Sequence, residues 1–240
     1  MEASPMTQAA GHLTAVMTTA AAIPYQWRVV TEHWRAFLAG AWIDVWVAVV
    51  GFGLACVLGL VIALMRTSRL RVLSVAARVW TQVFRGVPGY VLLLWLYFGL
   101  AFAVGWKLSP IQAIIAALAL AGSAYTAEAF RAGVQSIDHG QFEAARAVAL
   151  SPTWAYRSVI FPQAMRVMVP PLGNVLVGTL KAATIMSVIA IPDMVFVAQD
   201  LNYRYFTPFP TFTAVAVLLV LIVFLFSALV AATERLVRIR

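Results

Sequence analysis

The stretch Arg131-Ala-Gly-Val-Gln-Ser-Ile-Asp-His-Gly140, continued by Gln141-Phe-Glu-Ala-Ala-Arg-Ala-Val-Ala-Leu-Ser-Pro152 and closing at Phe161-Pro162-Gln163, is polar, charged and rich in helix formers. Long apolar runs lie on both sides of it, and that contrast decides the fold. Gly140 is a natural turn before a helix beginning at Gln141 or Phe142, and helix formers continue to Leu150. Ser151 suits an N-cap and Pro152 a first helical residue, so a second helix restarts there. On the first helix Phe142, Ala145 and Ala149, with Val148 beside them, fall on one apolar stripe of small residues. Such a stripe either receives another protein close to its backbone or lies on lipid headgroups.

The 240 residues around this stretch are 63% hydrophobic and only 11% charged, with mean hydropathy +0.90. A soluble domain carries about 25% charged residues, so the expected fold class is an all-α integral membrane protein. The net charge of +8 includes only two lysines, Lys107 and Lys181, and no basic run of the kind that grips nucleic acid. A positive balance is what membrane topology itself produces. The single cysteine, Cys56, sits inside an apolar run, has no partner for an internal disulfide, and reads as packing.

About five spans are expected, over residues 41–65, 86–106, 109–127, 167–191 and 212–232. Residues 1–23 hold no basic residue and read as a mobile tail, and 25–40 mix tryptophan with charge as interfacial helices do. The chain therefore divides into a tail with an interfacial helix, 1–40, and one transmembrane domain, 41–240. Twelve basic residues fall in the 66–85 loop, the 131–166 loop and the C-terminal tail; four fall on the other side. The positive-inside rule puts the twelve in the cytoplasm, with the N-terminus outside and the C-terminus inside. Gly51, Gly53, Gly59, Gly99 and Gly105 are expected to let helices approach closely.

Glu143-Ala144-Ala145, with Ala149, Val159, Phe161 and Pro162 at their spacings, resembles the EAA motif of ATP-binding-cassette importer permeases. Phe84-Arg85-Gly86-Val87-Pro88, Leu96-Tyr97-Phe98-Gly99, Ala124 to Ile137, and Pro162-Gln163-Ala164 with Pro170-Pro171-Leu172-Gly173-Asn174 are similar to the polar amino acid permeases. The resemblance covers roughly residues 41 to 235. It implies a type I importer permease fold in a bacterial plasma (inner) membrane. It also implies partners: a second permease subunit of the same or a different chain, two ATPase subunits, and an extracytoplasmic binding protein that delivers a polar amino acid or related solute. The 131–166 loop would dock on the ATPase through Gly140, Glu143, Ala144, Ala145, Arg146, Ala149 and Pro162. ATP and Mg would be bound by that partner, since this chain has no Gly-x-x-x-x-Gly-Lys-Ser/Thr loop. No cofactor of its own is expected. Ala149 stands where the motif has glycine, so the helix is expected to run straighter and more stable by about 1 kcal/mol. Ala182-Ala183-Thr184-Ile185 stand where relatives carry Asp-Thr-Ser-Leu.

Ionisable groups inside a bilayer cost roughly 2.5–3.5 kcal/mol each on insertion scales, so each needs a reason. Lys181, with Asn174, Thr179 and Thr184 on the same segment, is either a pathway residue or half of an ion pair with another span. Glu128 is a pathway candidate or a local partner of Arg131, three residues on. Asp44, between Trp42 and Trp46, reads as an outer girdle, and 192–210 as an outer loop. An ion-coupled secondary transporter or a channel subunit is the alternative function, though no internal repeat favours it. An intramembrane enzyme lacks its residues: His12, His33 and His139 all lie outside the spans.

Overall fold

The computed structural model describes residues 26–238, and every regular element among them is helical. The expected tail of residues 1–23 and the terminal Arg240 lie outside the described residues. A short helix α1 (Trp27–Glu32) precedes α2 (Trp34–Thr67), which at 34 residues is about 51 Å long and exceeds an apolar core of about 30 Å. Next come α3 (Arg71–Gly86) and a short run made of α4 (Gly89–Leu94), a π-helical turn (Trp95–Gly99) and α5 (Leu100–Val104). Helix α6 (Pro110–Gln135) starts in a full capping box: Ser109 Oγ accepts from the Gln112 amide, and Gln112 Oε1 from the Ser109 amide at 2.9 Å.

After α6 come α7 (His139–Ala147), α8 (Pro152–Ala155), a second π-helical turn (Tyr156–Ile160) and α9 (Phe161–Ala183). With the 3-10 turn Thr184–Ile189, these last segments form one helical run of 38 residues, Pro152–Ile189. Pro170 and Pro171 stand inside it without ending it. Two helices close the chain, α10 (Met194–Tyr205) and α11 (Pro208–Arg238).

Among the described residues four helical runs are long and apolar enough to cross a membrane, and the α3–α5 unit makes a fifth span when counted as one. The expectation of about five spans agrees with that upper count, but the second span differs in build. The chain turns through 103° between Gly86 and Gly89. What reads as a basic loop over 66–85 is largely the 16-residue helix α3, and the apolar remainder of the unit is Gly89–Val104. The reason is local: Val87 is extended ahead of Pro88, whose ring disfavours a helical residue before it.

At the centre α2 packs along α6. Thr126 Oγ1 donates to the Ala55 carbonyl at 2.7 Å, and both residues are fully buried. Gly59 faces that hydroxyl so closely that an added methyl would overlap it and stand 2.9 Å from the Ala127 amide nitrogen. Gly51 meets Leu118 in the same way. These two are the packing glycines expected from the sequence. Gly53 has no neighbour within 4 Å, Gly99 accommodates the indole of Trp95 in its own helix, and Gly105 takes φ +75° to end α5.

The spans differ sharply in how much of themselves they bury. Within its apolar window α6 is 61% buried and α11 only 6%.

Candidate functional site

Helix α7 begins two residues before the expected position. Asp138 is the N-cap, its Oδ1 accepting from the Gly140 amide at 2.7 Å, so Gly140 lies inside the helix instead of turning the chain before it. The helix ends sharply at Ala147. Leu150 N–H donates to the Ala145 carbonyl at 3.0 Å and Ala149 N–H to the Arg146 carbonyl at 2.9 Å, the paired bonds of a Schellman motif. Ala149 closes that motif with φ 54°, the left-handed conformation that favours glycine. The expected straightening of the helix by Ala149 is therefore wrong. The turn that a glycine would make is still made, and the alanine is strained by about 1–2 kcal/mol in making it.

The stripe expected to receive a partner also divides. Ala145 is only 4% exposed and packs inward, so it supports the helix from within the chain. Phe142 is helical, and its side chain lies outside the described residues. Gly140, Glu143, Ala144, Arg146, Ala149 and Pro162 remain exposed. Ser151 caps α8 as expected, its Oγ accepting from the Trp154 amide. Val148 of the expected stripe is 69% exposed, and beside it lies an apolar surface that the spacing argument missed: Trp154 and Phe161, 62 and 58% exposed, with Leu150. Its signal was readable as large apolar residues at the ends of a polar segment. Gln163 Nε2 donates to Gln141 Oε1 at 3.1 Å, tying α7 to the start of α9.

Along α9, Asn174, Gly178 and Lys181 are exposed at i, i+4 and i+7, one stripe of the helix. Asn174 opens on a groove of about 390 Å³ between α6 and α9, with Tyr125, Gly122 and Ala182. Lys181 opens on another of similar volume beside Leu219, Val223 and Ser227 of α11. No carboxylate pairs with Lys181 among the described residues, so the ion-pair alternative is not realised there. Thr184 is half-buried and its hydroxyl donates to the Lys181 carbonyl at 2.8 Å. Thr179 is buried and donates to Val175, within its own helix.

Glu128 does not join that stripe. It is held between Arg66 at the end of α2 and Arg131 on its own helix, the latter at 2.8 Å. The local pair with Arg131 exists, and Arg66 extends it into a clamp between two spans. Asp44 is likewise no girdle residue: it is 2% exposed, and its Oδ2 accepts from the Met194 amide at 3.2 Å. There α2 meets the start of α10, where Gly40 lies against the Asp193 backbone and Asp193 Oδ1 caps the helix through Phe196. Burial pushes the Asp193 carboxyl up to about 6. Asp44 Oδ1 and Asp193 Oδ2 are both buried without a hydrogen-bond partner among the described residues. The outer loop expected at 192–210 is mostly this helix α10.

Residues 55–239 match the family described as binding-protein-dependent transport system inner membrane component. The histidine/lysine/arginine/ornithine transport system permease protein HisM of Salmonella typhimurium is 30% identical over 223 residues, covering 86% of this chain and 95% of that protein. The probable amino-acid permease protein YxeN of Bacillus subtilis is 31% identical over 216 residues, 87% and 94% of the two chains. Among solved structures, an amino acid ABC transporter crystallised with histidines is 32% identical with TM-score 0.79, covering 86% of this chain and 96% of that one. The MetNI methionine ABC transporter in an inward-facing form shares the fold at TM-score 0.71 and 21% identity, over 86% and 98% of the chains.

Proposed function

Because this chain belongs to the family of binding-protein-dependent transport system inner membrane components and is a permease subunit of an amino acid ABC importer, we propose that it carries a polar amino acid across the bacterial inner membrane on energy from a partner ATPase. The observation that carries this reading is the exposed corner of α7 and α8. Val148, Trp154 and Phe161 offer apolar surface beside Glu143 and Arg146, and the whole corner is joined to a span. Pro152–Ile189 is one continuous helical run, so a displacement at α8 moves the membrane part of α9 as a lever. The Gln141–Gln163 bond carries α7 with it.

In this reading the corner is cytoplasmic, the N-terminus outside, and ATP with Mg is held by the ATPase subunits. An external binding protein delivers the substrate, and a second permease subunit completes the pathway. Lys181, Asn174 and Thr184 would line it, with the Lys181 ammonium offering a charge to the substrate's carboxylate. That no carboxylate among the described residues pairs with Lys181 supports that role.

The test is co-purification and coupled hydrolysis. Trp154→Asp, Val148→Asp and Glu143→Arg should each leave the chain inserted while removing the ATPase from the purified complex and abolishing substrate-stimulated hydrolysis. Survival of both in all three variants would sink the docking role. Lys181→Met should raise the substrate KM while the ATPase remains bound. Uptake by the isolated chain with no ATPase present would instead favour the ion-coupled alternative.

A further inference from the structure

Helix α3 has three faces. Arg71, Arg78 and Arg85 recur every seven residues and share one side. Ala77 and Thr81 are buried on the body, and Trp80 Nε1 donates to the buried Ser123 Oγ of α6 at 3.0 Å. On the third side Val72, Val75, Val79 and Val83 are all exposed, Val72 by 80%. The 103° turn sets α3 nearly perpendicular to Gly89–Val104; with that segment across the bilayer, α3 lies along the membrane surface. A helix lying so immerses its valines among acyl chains and holds its arginines at the depth of the phosphates.

The arginine side borders a cavity of about 500 Å³ whose lining includes Arg66, Arg78, Arg85, Gln82, Tyr125 and Glu128. Glu128, the one carboxylate of that lining among the described residues, is already engaged by Arg66 and Arg131. Among the described residues no carboxylate pairs with Arg78 or Arg85. Arg78 Nε donates to the Ser74 carbonyl at 3.3 Å, and the Arg85 guanidinium rests 5.4 Å from the centre of the Tyr125 ring. The cavity thus presents two guanidinium groups that no carboxylate among the described residues pairs with.

We propose that this cavity binds the headgroup phosphate of an anionic phospholipid, with Arg78 and Arg85 as its ligands. A guanidinium fork matches a phosphate's oxygens in two parallel bonds. Basic pockets between spans at the cytoplasmic face take acidic headgroups for this reason. The neighbouring valine side selects a lipid over a free anion, because only a lipid brings acyl chains to cover it. Neither step depends on which solute is transported.

The full chain, purified in detergent with its native partners, is titrated with short-chain phosphatidylglycerol, short-chain phosphatidylcholine and inorganic phosphate, binding being read from the thermal shift. Phosphatidylglycerol is expected to bind at least tenfold more tightly than phosphatidylcholine, and inorganic phosphate not to displace it at equal concentration. In R78Q/R85Q the preference should vanish, while Arg235→Gln, outside the cavity, keeps it. Equal binding of the two lipids by the unaltered protein overturns the proposal without any variant. So does an unchanged preference in R78Q/R85Q, and so does displacement by inorganic phosphate mole for mole, which would make the ligand a free anion.

Discussion

Replacing Gly59 by alanine sets two effects of opposite sign against each other. Alanine is the better helix former by about 1 kcal/mol, so propensity alone makes the variant more stable. Its methyl, however, would overlap Thr126 Oγ1 and stand 2.9 Å from the Ala127 amide nitrogen, which is backbone and cannot swing away. Overpacking costs about 1–3 kcal/mol, and displacing the Thr126 hydroxyl from the Ala55 carbonyl costs about 1 kcal/mol more. The net expectation is a loss of about 1–3 kcal/mol, or a Tm lower by roughly 3–10 °C for a chain of this size. Gly53→Ala is the control on the same helix: with nothing within 4 Å of its added methyl, it should gain the propensity term. Thr126→Ala in the Gly59→Ala background removes the hydroxyl and should recover at least about 1 kcal/mol relative to additivity. Melting of the detergent-purified chains, followed by size exclusion after heating, measures all five, the single Thr126→Ala variant included. If Gly59→Ala melts as high as Gly53→Ala, the close packing of α2 on α6 is refuted.

Three further outcomes follow from the same geometry. Ala149→Gly should relieve the left-handed strain and slow amide exchange across α7 by a few-fold, the gain being net of glycine's greater unfolded entropy, whereas Ala149→Val should speed it; equal exchange in all three chains would remove the strain argument. Glu128→Gln leaves Arg66 and Arg131 facing each other without a countercharge, and because the group is only partly buried the expected loss is about 1–3 kcal/mol in melting, partly restored by adding Arg66→Gln. For Asp193 the sign follows from its raised pKa: the native state holds the proton more tightly than the unfolded one, so its contribution is present below about pH 4 and lost as pH rises through about 6. Asp193→Asn keeps the cap and should therefore gain stability relative to the unaltered chain between about pH 5 and pH 7; a constant difference across that range would contradict it.

The spans were legible because length and apolar content are properties of a segment taken alone. What escaped needed partners or angles. The five arginines between Arg66 and Arg85 break a hydropathy window, so a window sees a loop; the recurrence of Arg71, Arg78 and Arg85 every seven residues, beside a valine stripe, is the signal of a helix with distinct polar and apolar sides. Ala145 belongs to an apolar stripe by spacing, yet spacing does not say whether that stripe faces its own chain or another. The Schellman turn at Ala149 was hidden because its usual glycine is absent and only the backbone records the turn. Asp44 could not be placed because the amide it accepts from, Met194, lies 150 residues away. The proposed docking surface was read through its motif and its stripe, Val148 included, whereas the exposure of Trp154 and Phe161 beside it came from the fold.

The unequal burial of the spans also bears on how the chain is made. Helix α11, with mean hydropathy 3.1 and 6% of its window buried, partitions into lipid unaided, and its bare flanks leave it resting on acyl chains or on a neighbouring subunit. Helix α6, at 1.5 and 61%, carries the buried hydroxyls of Ser123 and Thr126 and gains its place chiefly from its neighbours. Synthesis delivers α2, at hydropathy 2.8, before α6 emerges, so the strongly apolar helix is already in the bilayer to receive the weaker one. The order of segments in the gene is thus also an order of insertion, with α2 as the template on which α6 is retained.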